Sequence, residues 1–193
     1  MHRLVLGICL IMLSHFAHSE VDAELRQHLK QAIDTSSSFI DRFDAEVWMV
    51  DMSSRLKRYI KDKSFRIEFL KHVHHSATQH DLPPEMVLAV INVESAFKPY
   101  AISHVGAQGY MQIMPFWRNE IGRPHDNLMD YKTNLQYGCA ILAHYLKKEK
   151  GNWTRALGRY NGSLGKTKYP KKVFDAWQKR WFVKNLSQVT YPQ

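Results

Sequence analysis

Cysteine is almost missing: Cys9 and Cys139 are the only two in 193 residues. No CxxC pair and no Cys/His cluster occurs, so a structural zinc site is not expected. Internal repeats and low-complexity tracts are lacking, and alternating apolar/polar runs are rare, which argues against strands. Acidic residues are in the minority: Asp and Glu number 18 against 27 Lys and Arg, for a net charge of +9. No RNP-like, zinc-finger or helix-turn-helix pattern accompanies the basic residues, so nucleic acid is not an expected partner. Finally, no Asp or Glu lies between Glu94 and Glu120. Chemistry that needs two neighbouring carboxylates finds no second acid in that stretch.

What is present begins with an export pattern. Arg3 precedes an apolar run, Leu4 to Leu13, that is too short to span a bilayer as a stable helix. Ala17-His18-Ser19 has the small-x-small form of a cleavage site. Residues 1–19 are therefore read as a signal peptide cleaved near Ser19. Cys9 lies too early for a lipid-anchoring cysteine, which predicts a soluble periplasmic protein without stable membrane insertion. Loss of Arg3 with the signal leaves a mature charge of +8, and Cys139 as the only thiol precludes an intramolecular disulfide. A basic exported chain suits polyanions such as cell-wall polymers or acidic lipid surfaces. Lys166, Lys168, Lys171, Lys172, Lys179 and Arg180 are dense near the C-terminus, and a solvated basic surface accounts for each taken singly.

The periodicity is helical nearly throughout. Residues 22–33 read as a short amphipathic helix, broken by Ser36-Ser37-Ser38. A longer helix over 40–60 has Phe43, Val47, Val50, Leu56 and Ile60 on its apolar faces. Ser64 is the expected cap of a helix over 65–80, with Ile67, Leu70, Val73 and Ala77 at helical spacing. His72, His74, His75 and His80 fall there and are read as surface or interhelix groups, because no carboxylate or Cys completes a metal set. Pro83-Pro84 opens a helix over 84–97. Residues 98–116 read as loop, with a short helix about Tyr110–Met114. Asp130 is the expected N-cap of a helix over 131–149, and Asn152 of one ending near Tyr160. A last amphipathic helix runs from about Pro170 to Phe182. The expected architecture is one all-α domain over 67–185, buttressed by a helical segment 20–66 and followed by a tail, 186–193.

Glu94 is the candidate chemical centre. Val87, Ile91 and Glu94 share one helix face, so the carboxyl borders an apolar stripe. Desolvation raises a carboxyl pKa and suits it to general-acid work near neutral pH. Beyond it come neutral polar groups, Ser103, Gln112, Tyr160 and Asn161, and glycines at 106 and 109 that let backbone approach a ligand. Phe97, Tyr100, Tyr110, Phe116, Trp117 and Tyr160 offer aromatic faces for stacking or for the core.

Three segments occur in a telling order: Glu94-Ser95-Ala96-Phe97, then Ser103 with Gly106-Ala107-Gln108-Gly109-Tyr110-Met111-Gln112-Ile113-Met114-Pro115, then Arg159-Tyr160-Asn161-Gly162. Together they resemble the catalytic domain of the soluble lytic transglycosylases, over about residues 67–182. The resemblance implies a lysozyme-like helical fold and cleavage of peptidoglycan glycan strands at the MurNAc-GlcNAc β-1,4 bond, leaving 1,6-anhydro-MurNAc ends. It implies Glu94 as sole catalytic acid and base, and Ser103, Gln112, Met114, Tyr160 and Asn161 as substrate-binding residues. Ser103 would steady the 2-acetamido group, and Tyr160 would hydrogen-bond Glu94. No metal, nucleotide or redox cofactor is implied, and the chain is expected to act as a monomer. Tyr110 stands where Leu is usual, Arg159 where Ala is usual, and Gly162-Ser163 where Ala-Gly is common.

Three other readings share this pattern. A goose-type lysozyme-like muramidase would hydrolyse the same bond with water as acceptor. A wall-binding module would keep the cleft without the reaction. A secretion-system or phage-associated version would use the same chemistry to open a local gap in the wall.

Overall fold

The computed structural model of the protein describes residues 42–183. The expected signal peptide, the helix over 22–33, the serine break and the C-terminal tail lie outside these residues. The elements are α1 (Arg42–Leu56), α2 (Lys63–Thr78), α3 (Pro84–Glu94), α4 (Trp117–Ile121), α5 (Tyr131–Lys148), α6 (Trp153–Tyr160) and α7 (Lys168–Ala176), followed by a π-helical turn, Trp177–Trp181. The all-α class expected from the periodicity holds: among the described residues the only β pairings are two isolated bridges.

α3 is the centre of the molecule. Pro84 through Ile91 are all buried, so this helix is apolar all round and is a core helix, not a surface one. Only its last residues, Asn92, Val93 and Glu94, reach partial exposure. α2, α7 and the π-helical turn pack around it, while α5 packs on α2 and α6, and α6 on α7. Each buried Leu, Ile, Val or Met here contributes about 1.5–3 kcal/mol of transfer free energy.

α1 joins this same core through Ala45, Trp48, Met49, Met52 and Leu56. That face differs from the expected one: Val47 is 47% exposed and Val50 is only partly buried. Trp48 is buried and donates from its indole Nε1 to the buried Glu85 of α3 at 2.5 Å. The Arg55 guanidinium donates to the backbone oxygens of Arg180 and Phe182, which ties α1 to the C-terminal turn.

Capping sets the element starts. Asp130 accepts from Thr133 N at 2.9 Å and Asn152 from Arg155 N at 3.0 Å, as their positions predict. For α2 the cap is Asp62, which accepts from Phe65 N, and not Ser64. His74, on the inner side of α2, is buried with its ring 5.0 Å from that of Trp48, and burial pulls its pKa down to about 3. The last helix starts at Lys168, earlier than expected, and widens after Ala176. Phe182 N donates to Trp177 O, an i to i−5 bond that lets both Trp177 and Trp181 turn inward.

Candidate active site

α3 ends at Glu94, three residues short of the expected end. Ala96 and Phe97 adopt φ of 49° and 61°, left-handed values that are costly for residues with a Cβ. The turn they make sends Phe97 back into the core against Tyr59, Phe69 and Trp181, with ring centroids 4.8–6.3 Å apart. That aromatic packing holds the strained turn. Its effect is to leave Glu94 on the terminal turn of a rigid helix, where the helix emerges from the core.

The Glu94 carboxyl is half-buried. Its Oε1 accepts a hydrogen bond from the Tyr169 hydroxyl at 2.5 Å. Burial pushes the Glu94 pKa up to about 7, while the Tyr169 hydrogen bond pulls in the opposite direction. Tyr169 and Tyr160 are held well above the usual phenol range, first by burial and then by the nearby Glu94 charge, so both remain neutral. A cavity of about 330 Å³ opens beside Glu94, lined in part by Val93, Asn161, Ser163 and Tyr169. Glu94 is the sole acidic residue in that lining. Chemically, this is a carboxyl that exists in both protonation states near neutral pH and faces a space large enough for a small ligand.

The residues expected at the site divide into two groups. Glu94 and Asn161 line the cavity together. Tyr160 sits close enough to feel the Glu94 charge, but its hydroxyl donates to Met111 O at 2.8 Å. The hydrogen bond to the carboxyl that Tyr160 was expected to make is made by Tyr169 instead. Ser103, Gln112 and Met114 do not line this cavity; they belong to the loop between α3 and α4.

That loop is built by side chains bonding to backbone. Ala107 N donates to Ser103 Oγ and Ser103 N to Ala107 O, both at 3.0 Å, which closes the turn. Gln112 Nε2 donates to the backbone oxygens of Ala101 and Gly109. Met114 is partly buried, and its carbonyl accepts from Trp117 N at the start of α4. The short helix expected about Tyr110–Met114 does not form. Gln108 and Ile113 pair through two backbone bonds of 2.9 Å, and Gln112 has φ of 54°. Of the aromatic residues, Phe97 and Tyr110 are core, whereas Tyr100 and Phe116 are exposed.

Tyr169 is the residue that sequence reasoning missed. It stands 75 positions from Glu94, and the contact arises only because α7 packs on α3. Nothing in Lys168-Tyr169-Pro170 distinguishes it from the other aromatic residues on helices.

An all-α domain that presents one protonatable carboxyl at the end of a core helix, beside an open cavity, has the form of a single-acid enzyme. Comparison with known proteins gives that class a family. The Transglycosylase SLT domain model matches residues 72–182, more than half of the chain, and the chain belongs to this family. A transglycosylase of Enterobacteria phage PRD1 is 35% identical over 105 residues, covering 51% of this chain and 38% of the phage protein. The membrane-bound lytic murein transglycosylase C of Sodalis glossinidius is 28% identical over 131 residues, covering 60% of this chain and 36% of that protein. The chain thus spans under two-fifths of the length of these curated relatives. Among solved structures, a 70-kDa soluble lytic transglycosylase in complex with bulgecin A aligns over 82% of this chain and 30% of its own, at 20% identity and a TM-score of 0.46.

Proposed function

We propose that this protein is a peptidoglycan lytic transglycosylase in which Glu94 acts first as acid and then as base. The observation that carries the reading is a lone cavity carboxyl whose pKa burial raises to about 7. Family membership supplies the substrate class: relatives are named as murein transglycosylases. Two-carboxylate glycosidases place the second acid about 5–9.5 Å from the first. Here the cavity lining offers no second acid, and the reaction is one that does not need it.

In this mechanism protonated Glu94 donates to the glycosidic oxygen between N-acetylmuramic acid and N-acetylglucosamine. The C1–O bond breaks and the N-acetylglucosamine leaves with a free C4 hydroxyl. The acetamido oxygen of the muramoyl residue compensates the charge at C1 as an oxazolinium. Glu94, now a carboxylate, takes the proton from the muramoyl C6 hydroxyl as O6 attacks C1 and the bond from C1 to the acetamido oxygen breaks, restoring the neutral acetamido group. The 1,6-anhydro ring closes and Glu94 returns to its protonated state. Tyr169 is the positioning residue: its hydrogen bond fixes the carboxyl and favours the ionised form that the second step uses. Ser103 Oγ accepts from Ala107 N and keeps its own proton for the substrate acetamido oxygen. Asn161 lines the same cavity and borders the glycan there, and Gln112 and Met114 belong to the loop that leads from α3 to α4.

In the same reading, residues 67–185 form the catalytic domain and the segment 20–66 buttresses it through α1. The protein is exported and acts on the wall in the periplasm as a monomer. Among the described residues no helix is long and apolar enough to cross a membrane.

Glu94→Gln keeps the shape of the side chain and its ability to hydrogen-bond, but cannot donate or accept the catalytic proton. Clearance of a purified sacculus suspension should fall by about 10²–10⁴-fold, the usual value of a general acid–base group. Near-normal clearance by the folded variant would contradict the proposal.

A further inference from the structure

The dense basic stretch near the C-terminus divides into two sets. Lys171 and Lys179 approach Asp175 at 3.1 and 4.0 Å, and Arg180 hydrogen-bonds Tyr59 and Asn92. Lys166, Lys168 and Lys172 do none of this. All three are exposed, all three line the Glu94 cavity, and among the described residues their ammonium groups have no acidic partner. They do not serve the catalytic carboxyl either: burial and Tyr169 account for the Glu94 pKa, and the lysines are not among its causes. Ser163, in the same lining, has a buried hydroxyl without a hydrogen-bond partner. A second cavity, of about 360 Å³, shares Val93 and Lys172 in its lining and includes Asp175 beside Lys179 and Arg180.

Three unpaired cations around a site whose sole acid is protonated for half of the cycle call for an anionic ligand. Building on the transglycosylase reading, we propose that Lys166, Lys168 and Lys172 form a carboxylate-binding subsite for the peptide stems of the glycan strand. The chemistry places the stem there. It is attached through the lactyl ether at C3 of the same muramoyl ring whose C1 and C6 react at Glu94, and its free carboxylates lie a short peptide away. Lysine suits this task because a point charge on a flexible stalk follows a mobile carboxylate, where an arginine fork would demand one fixed geometry. The consequence is specificity: the chain cleaves stem-bearing strands in preference to bare glycan.

The test uses the full chain on uncross-linked glycan strands, with stems intact or removed by an amidase, and reads the ratio of the two kcat/KM values. Wild type should favour stem-bearing strands at low salt, and the ratio should shrink as salt is added. Each exposed pair is worth about two- to fivefold, so Lys166→Gln, Lys168→Gln and Lys172→Gln together should lower the ratio by roughly tenfold. The corresponding triple change to Arg keeps the charge and should retain the preference. Equal rates on the two substrates in wild type, or an unchanged ratio in the triple Gln variant, would overturn the subsite while leaving the transglycosylase reading intact. Failure to release anhydro products from either substrate would overturn that reading and the subsite with it.

Discussion

Glu94 receives a hydrogen bond that works against its own protonation. Burial raises its pKa and Tyr169 lowers it, and the balance near 7 lets one group serve both halves of a reaction. Removing the hydrogen bond should unbalance it in a known direction. In Tyr169→Phe the carboxylate loses its donor, so the descending limb of the kcat/KM–pH profile should move to higher pH. A purely structural role for Tyr169 would lower activity without moving the limb. Tyr160→Phe loses a different bond, the one to Met111 O, and should cost about 1 kcal/mol of stability with a smaller displacement of the limb. Glu94 also makes stability depend on pH. In the unfolded chain it titrates near about 4.3. In the folded protein it does so near 7. Below the first value both states hold the proton. As pH rises through the window the unfolded chain ionises first, and stability falls until the folded group ionises too. Full linkage would be about 4 kcal/mol, and solvent screening of a half-buried group reduces this to on the order of 1 kcal/mol. Melting curves should therefore show Glu94→Gln gaining on wild type between pH 5 and pH 9 by about that amount.

At the scale of elements, one side chain of α5 organises the loop between α3 and α4. Asn134 is fully buried. It accepts from Met111 N at 2.8 Å and donates to the backbone oxygens of Gln108 and Leu128 at 2.9 and 2.8 Å. Asn134→Ala strands two buried backbone groups and a partly buried third, and should cost about 2–4 kcal/mol in denaturant unfolding, with a loss of activity at temperatures where the domain is still folded. Gly109 has φ of 76°, and a Cβ there would lie 2.4 Å from Asn134 Nδ2 and 2.6 Å from Leu128 O, so Gly109→Ala should loosen the same joint. This scale also separates what was legible in the sequence from what was not. The caps at Asp130 and Asn152 were legible because a cap is a local bond between a side chain and the backbone three residues on. The start of α2 was misplaced because Asp62 and Ser64 are both capping types, and only the fold decides which one the chain uses. The end of α3 was not legible: nothing local tells that Phe97 folds back onto Tyr59, Phe69 and Trp181 and thereby stops the helix at the acid. Glu94 itself could be found from its isolation and its motif. Tyr169 could not, because its contact with Glu94 is made by helix packing alone.

At the scale of the molecule, a rigid core helix delivers one carboxyl to a cavity, and three lysines without an acidic partner among the described residues line that cavity with it. The net charge of +9 is thus partly placed and not merely spread over the surface. The whole arrangement makes sense if the substrate is a polyanionic glycan and if the sugar itself supplies the nucleophile. The most direct test is the mass of the products released from purified sacculi by wild type, with Glu94→Gln as control. The account predicts muropeptides ending in 1,6-anhydro-N-acetylmuramic acid, each lighter by one water than its hydrolytic counterpart, and a yield from the variant lower by about 10²–10⁴-fold. Reducing-end products from wild type, or anhydro products from Glu94→Gln at a near-normal rate, would contradict it.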